Sequence, residues 1–257
     1  MKKTIILFDV DGTLTKPRLS VESKIIDMIK ELSQNNNLDI GIVGGSNFEK
    51  QEEQLGKDVL SLFDYVFSEN GLVSYYKDEL FHTNSIVSYF GEEAYKKLVN
   101  ICLESLAKSD PPKKRGTFIE YRTGMINISP IGRNCSQEER EEFSEFDKKE
   151  NLRKNLINEI DIKWKIFKYE NPNMDVKDIS FSIGGQISID IFPKNWDKTY
   201  CLKFLKNKYD KIIFIGDKTY EGGNDYEIFN SELTESFTTL CPNNTIVIVN
   251  NLLNKIF

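Results

Sequence analysis

Two aspartate-rich segments are placed where chemistry could be done. The first is Asp9-Val10-Asp11-Gly12-Thr13-Leu14-Thr15, directly after the apolar run Thr4-Ile5-Ile6-Leu7-Phe8. A run of that kind suits a strand buried on both faces. The carboxyl end of such a strand is where open α/β sheets hold their ligands. A carboxylate at Asp9 can attack a phosphoryl group and form an acyl phosphate. Asp11 can give a proton to the leaving oxygen and take one from the incoming hydroxyl. Gly12 permits a tight turn, so that both carboxyl groups point into one cavity. Two anions repel a phosphate, so this chemistry needs a divalent cation, and oxygen ligands select Mg2+.

The second segment, Gly216-Asp217-Lys218-Thr219-Tyr220-Glu221-Gly222-Gly223-Asn224-Asp225, follows another apolar run, Ile212 to Ile215. Asp217 is therefore a second strand-end carboxylate and a metal-ligand candidate. Asn224 and Asp225 open the next predicted helix, where they read equally well as caps or as supports of the site. Ser46, after Val43-Gly44-Gly45, ends a third strand and precedes a helix, an arrangement suited to an anion. Lys198 begins a predicted helix and could neutralise a transferring phosphoryl group. His82 is the only histidine. Nothing around it has the pattern of a triad or a zinc site, so it reads as a packed or surface residue.

The spacing predicts the elements that must carry these residues. Strands are expected at 4–8, 38–43 and 64–68, a hairpin at 72–76 and 79–83, and helices capped by Ser20 and over 47–56. A different rhythm follows: a helix over 92–108, strands at 117–122 and 125–129, one charged helix over 136–158, and strands at 179–183 and 187–192. After Pro193 the first pattern resumes with a helix over 197–208, a strand at 211–215 and a helix from about Asn224. The segments 236–240 and 245–257 read equally as strand or helix. Strand–helix alternation implies a parallel sheet with helices on its faces. The expected fold is therefore α/β, a Rossmann-like core of residues 1–84 and 193–257 with an α+β insertion over 85–192.

Composition bounds what this fold could serve. The chain of 257 residues has a net charge of −6, which argues against general nucleic-acid binding, since that needs a basic face. No apolar stretch reaches the ~20 residues of a membrane span. The four cysteines are widely spaced, with no CxxC pair, and read as free thiols in a reducing compartment. The expected location is the cytoplasm. Five of the six arginines fall between Arg115 and Arg153 in a chain that otherwise prefers lysine. Arginine offers a planar fork for phosphate that lysine cannot imitate.

The order of nucleophile, acid/base pair, serine, lysine and distal aspartate resembles the haloacid dehalogenase superfamily. The segments Arg115-Gly116-Thr117-Phe118-Ile119-Glu120-Tyr121-Arg122-Thr123-Gly124-Met125, Asn127 to Arg133, Cys135 to Arg140 and Gly184 to Pro193 resemble, more narrowly, the cap of the eukaryotic phosphomannomutases. The resemblance covers nearly the whole chain. It implies exchange of mannose 6-phosphate and mannose 1-phosphate through an aspartyl phosphate, supplying GDP-mannose synthesis, with a hexose 1,6-bisphosphate as activator. It further implies that Arg122, Arg133 and Arg140 hold the non-reacting phosphate, that Ser188 and Asp190 contact the sugar, and that Arg18 lies near the substrate in the core. Mg2+ is expected on Asp9, Asp217 and the backbone oxygen of Asp11. A homodimer through the cap is implied as well. Three features depart from the family pattern: Asn47 where an acidic residue is expected, a longer stretch over 160–177, and a divergent 236–257. Two rivals share the core residues. A sugar-phosphate phosphatase would admit water to the aspartyl phosphate. A catalytically silent scaffold would have no need of Asp9, Asp11 and Asp217 together.

Overall fold

The computed structural model describes residues 3–17 and 19–256, the last two by backbone alone. The chain divides into two compact units, Met1–Thr83 with Trp196–Phe257, and Asn84–Asn195. In chain order the elements begin β1 (Thr4–Phe8), α1 (Ser23–Ser33), β2 (Leu38–Val43), α2 (Phe48–Leu55), α3 (Val59–Leu62), β3 (Tyr65–Ser68), β4 (Val73–Tyr76) and β5 (Glu79–Thr83). They continue α4 (Ile86–Phe90), α5 (Glu92–Lys108), β6 (Ile119–Tyr121), β7 (Ile126–Ile128), α6 (Gln137–Glu150), α7 (Leu152–Glu170), β8 (Ile179–Gly184) and β9 (Ser188–Pro193). A 3-10 helix at Lys198–Phe204, β10 (Lys211–Gly216), α8 (Tyr226–Phe229), β11 (Glu235–Thr238) and α9 (Pro242–Ile256) complete the chain.

The first unit is built on a seven-stranded sheet in the order β11-β10-β1-β2-β3-β4-β5. Strands β11 through β3 run parallel, and β4 and β5 add an antiparallel edge. All five residues of β1 are buried, as a strand covered on both faces must be. Alternate side chains go to opposite faces. Ile6 and Phe8 pack with Ile25, Ile29, Val249 and Leu252, whereas Ile5 and Leu7 pack with Cys201, Leu202, Leu205 and Phe214. Each fully buried aliphatic side chain of this kind contributes roughly 1.5–3 kcal/mol.

The second unit is a four-stranded antiparallel sheet, β6-β7-β9-β8, covered on one face by helices. Ile126, Ile128, Ile189 and Ile191 point to that face and pack with Leu98, Ile101, Cys102, Leu156, Ile160 and Trp164. The intervening residues point the other way. Glu120, Asn127, Asp190 and Ser182 stand in register across β6, β7, β9 and β8, a polar row on the opposite face.

Several expected elements differ in detail. Helix α1 starts at Ser23 with Glu22 at the cap position, so Ser20 caps nothing. The charged stretch predicted as one helix over 136–158 is two, because Asn151 takes a left-handed φ of 54° between α6 and α7. Asparagine tolerates that conformation, and it stops a helix. The predicted helix over 197–208 is the 3-10 helix, and the one near Asn224 is reduced to α8. The ambiguous C-terminal segments are strand β11 and helix α9. All four cysteines are free. His82 is packed, with its Nε2 3.0 Å from the Tyr200 hydroxyl and its ring against Phe204. Among the described residues no helix is long and apolar enough to cross a membrane.

Candidate active site

Three parallel strands deliver candidate residues at one end of the first unit's sheet. Asp9 leaves β1 one residue past Phe8, and its N–H donates to the Ile215 carbonyl of β10 at 2.9 Å. Asp217 leaves β10 one residue past Gly216. The loop after Asp9 closes tightly, because the Val10 carbonyl accepts from Thr13, Leu14 and Thr15. Gly12 has φ +88°, and a Cβ there would lie 2.2 Å from Asp217 Oδ2. The missing side chain is what lets the two loops touch. Gly12→Ala is expected to cost about 1–3 kcal/mol of stability through that strain and to blunt any rise in melting temperature on adding Mg2+. Thermal unfolding with and without Mg2+ checks both, and a melting curve equal to wild type would refute the packing argument.

Asp9, Asp217 and Asp225 bring carboxylate oxygens within 4.8 Å of one another. Lys198, 1 % exposed, ion-pairs with both Asp9 and Asp225. Asp225 Oδ2 also accepts from the N–H groups of Asp217, at 3.1 Å, and Lys218, at 3.0 Å. Both Asp225 oxygens are thus engaged, and the residue fixes the loop that carries Asp217. It makes no side-chain cap on α8, so of the two readings of Asp225, site support is the one the structure shows. Asp9 Oδ2 and Asp217 Oδ1 are different: both are buried, and neither has a hydrogen-bond partner. A carboxylate cluster with two buried, unpartnered oxygens fits a hard divalent cation.

The electrostatics follow from this crowding. Burial pushes the Asp9 carboxyl up to about 7, Lys198 opposes the rise, and the charges of Asp225 and Asp217 add to it. Burial pulls Lys198 down, but Asp225 and Asp9 outweigh it, so the ammonium stays protonated well past its ordinary range. Asp217 is raised, mainly by burial. A cation against Asp9 and Asp217 would favour their ionised forms.

Asp11 is half-buried, and its Oδ1 accepts from Gln54 Nε2 of α2 at 2.7 Å. Ser46 is half-buried between β2 and α2, and its hydroxyl makes no hydrogen bond among the described residues. The cap of α2 is Asn47, which accepts from the Lys50 N–H at 3.2 Å. An amide thus serves at the position where an acid was expected. Arg18 lies outside the described residues.

The second unit collects the other candidates on the polar face of its sheet. Glu120 Oε1 accepts from Arg122 Nε at 2.7 Å, and Glu120 Oε2 lies 2.7 Å from Arg133 Nε. Arg133 Nη1 donates to Asn127 Oδ1 at 2.6 Å, and Asn127 Nδ2 donates to Asp190 Oδ1 at 2.6 Å. Arg140 Nη2 donates to the Arg133 carbonyl at 3.0 Å. Burial and the neighbouring Arg122 and Arg140 pull Arg133 below the ordinary arginine range, against the pull of Glu120. Ser188 is buried on the same strand face as Asp190, two residues away.

Arg115 and Arg153, which share the arginine-rich stretch, do other work. Arg115 pairs with Glu139. Arg153 is buried, pairs with Asp147, and donates to the carbonyls of Gly185 and Ser188, which ties down the β8–β9 turn. Gln54, Glu120 and Asn127 were not singled out from the sequence for the roles they have here, whereas Asp225 was, as a cap or as a support of the site. Only Asp225 carried a local signal, and it was shared with helix capping.

Comparison with known proteins agrees with the geometry. The family model of the eukaryotic phosphomannomutases matches residues 25–255. A phosphomannomutase of Dendrobium officinale is 50 % identical over 245 residues, covering 95 % of this chain and 92 % of that one. Phosphomannomutase 2 of Dictyostelium discoideum is 47 % identical over 256 residues, covering 99 % and 98 %. Among solved structures, the IMP-bound IMP-nucleotidase of Plasmodium falciparum aligns over 98 % of this chain and 68 % of its own, with TM-score 0.61 and 17 % identity. A trehalose-6-phosphate phosphatase of Aspergillus fumigatus aligns over 99 % and 93 %, with TM-score 0.59 and 14 % identity. Those two likenesses bear on the fold alone. They bear out the expected fold, a Rossmann-like core with an inserted α+β unit. With relatives this similar over almost its entire length, the chain belongs to the eukaryotic phosphomannomutase family.

Proposed function

We propose that this protein interconverts mannose 6-phosphate and mannose 1-phosphate through a phosphoryl group carried on Asp9, and so supplies GDP-mannose synthesis. The observation that carries the reading is the family membership joined to a buried, lysine-paired Asp9 with one free oxygen. In the loading step the free Asp9 oxygen bonds to one phosphorus of a hexose 1,6-bisphosphate while the bond from that phosphorus to the sugar oxygen breaks. Asp11 gives its proton to that departing oxygen. In the transfer step the free hydroxyl of a mannose monophosphate attacks the phosphorus of the aspartyl phosphate, the bond from that phosphorus to Asp9 breaks and Asp11 takes the hydroxyl proton; the bisphosphate so formed reverses and gives its other phosphoryl group back to Asp9. Gln54 holds Asp11 through Oδ1 and so fixes the position of the carboxyl group for that exchange. Lys198 keeps a fixed positive charge beside the reacting oxygen.

Asp9, Asp217 and the backbone oxygen of Asp11 would hold Mg2+, which when bound screens the repulsion between carboxylates and phosphate. Ser46 is read as a ligand of the transferring phosphoryl group. Arg122, Arg133 and Arg140 are read as the grip on the far phosphate, and Ser188 and Asp190 as contacts to the sugar. Arg18 is retained as a candidate near the substrate. A hexose 1,6-bisphosphate is the proposed activator. A cytoplasmic homodimer through the unit of residues 85–192 fits the exposed Ile162, Ile166 and Tyr169, which recur along one side of α7.

One assay tests the core of this reading. Mannose 1-phosphate and glucose 1-phosphate are supplied with and without a bisphosphate sugar, and both isomerisation and free phosphate are measured. Isomerisation that depends on the bisphosphate is expected. Phosphate release faster than isomerisation would replace this function with a phosphatase. Arg133→Lys keeps the charge but loses the planar fork, and should lower kcat/KM for mannose 1-phosphate by about 5- to 150-fold, equivalent to roughly 1–3 kcal/mol. Unchanged kcat/KM would remove Arg133 from the phosphate site.

A further inference from the structure

Glu120 is a carboxylate set inside an arginine cluster whose proposed ligand is itself an anion. It lies on the edge strand β6 at the head of the polar row that continues through Asn127 and Asp190. A single chain of hydrogen bonds and ion pairs runs along that row. Asn127 donates to Asp190 and accepts from Arg133, Arg122 Nε donates to Glu120 Oε1, and Arg133 Nε forms an ion pair with Glu120 Oε2. With the Nε of each guanidinium group against Glu120, the Nη2 of each is without a partner among the described residues. Those are the atoms a phosphate would take.

The charge matters as much as the geometry. Arg122, Arg133 and Arg140 supply three positive charges, and Glu120 and Asp190 return two negative ones. Three unopposed guanidinium groups would hold a phosphate dianion strongly. For a phosphatase that is harmless, because its product departs once. A mutase has a different demand: after the first transfer the bisphosphate must be let go by this grip, reverse, and be gripped by its other end. Binding a ligand more tightly in its resting state does nothing for turnover and slows release. A fixed counter-charge within the fork is a direct way to limit the hold.

We propose that Glu120 is a positioning residue that aligns Arg122 and Arg133 for the non-reacting phosphate and, by its charge, keeps their hold weak enough for the sugar bisphosphate to reverse at each turnover. This inference rests on the mutase reading. Its test uses the full chain and mannose 1,6-bisphosphate. Binding is measured by calorimetry in the Asp9→Asn background, where no transfer occurs. Glu120→Gln and Glu120→Ala both remove the charge, and each should bind the bisphosphate roughly three- to tenfold more tightly than its parent, the range of one nearby charge at a half-exposed site. Glu120→Asp keeps the charge and should bind no more tightly than the parent. With Asp9 intact, the neutral variants should lower both KM and kcat for mannose 1-phosphate, a split that a loss of structure would not produce. Melting temperatures confirm that each variant is folded, which an edge-strand position favours. If the folded neutral variants bind equally or more weakly, or if Glu120→Asp tightens binding as much as they do, the proposal fails. Failure of the mutase reading would appear separately, as phosphate release without isomerisation by the unaltered enzyme.

Discussion

Asp9→Asn is expected to abolish turnover, by about 10^4-fold or more, and to leave the fold standing. The change is nearly isosteric, and the position is buried at the end of β1. It takes away the carboxylate whose Oδ2 is buried and without a hydrogen-bond partner, the proposed attacking atom. Lys198 keeps Asp225 as its partner, so no charge is orphaned. The variant should therefore melt close to wild type. Wild-type protein should be stabilised by Mg2+ with beryllium fluoride, which mimics a phosphorylated aspartate, and the variant should not be. Residual turnover within a hundredfold of wild type would remove Asp9 from the role of nucleophile.

Lys198→Met is expected to be the most damaging change to stability in the first unit. The ammonium is almost wholly buried and is the shared counter-ion of Asp9 and the fully buried Asp225. Removing one member of a buried ionic group leaves the others uncompensated, at a cost of about 3–5 kcal/mol. The pH dependence has a definite sign. Two carboxylates left together hold a proton in the folded state that the unfolded chain releases near pH 4. The variant's stability should fall as pH rises from about 4 towards neutrality. Urea unfolding at pH 5 and pH 7.5 measures this. Adding Asp225→Asn to Lys198→Met should recover part of the loss at pH 7.5. A variant as stable as wild type at pH 7.5, or a defect that shrinks as pH rises, would contradict the ionic argument.

The parts of the site that could be read in the sequence are those where chemistry sits at the end of a buried strand. Asp9 follows Thr4–Phe8 and Asp217 follows Lys211–Gly216, and both strands carry uninterrupted apolar runs. The helix over 92–108 and the strands on either side of Gly184-Gly185 were equally legible, since period and turn residues agreed there. What escaped depends on partners distant in sequence. Gln54 is 43 residues from the Asp11 it holds. Glu120 looked like an ordinary polar strand residue because its meaning comes from Arg133, thirteen positions later, turning back to meet it. The break at Asn151 was hidden for another reason. Its neighbours favour helix, and one left-handed residue, with Asp147 accepting from the Arg153 N–H at 2.8 Å, is enough to end α6 and begin α7. The 3-10 winding at Lys198–Phe204 follows no periodic signal; there the chain is drawn to the ion pairs of Lys198.

The place of β1 between β10 and β2 has a consequence for how the protein is made. A nascent chain emerges in order, so β1 and β2 can pair early, while β10, the other neighbour of β1, is the last strand of the sheet but one to be synthesised. Until residue 216 has left the ribosome, the strand that ends at the nucleophile has an open edge of unpaired N–H and C=O groups. Residues 84–195 are contiguous and can collapse during that interval. The active-site strand is thus the part of the molecule most exposed to mispairing during translation, and a pause or truncation between residues 196 and 211 should yield a chain that aggregates through β1 rather than one that is merely inactive.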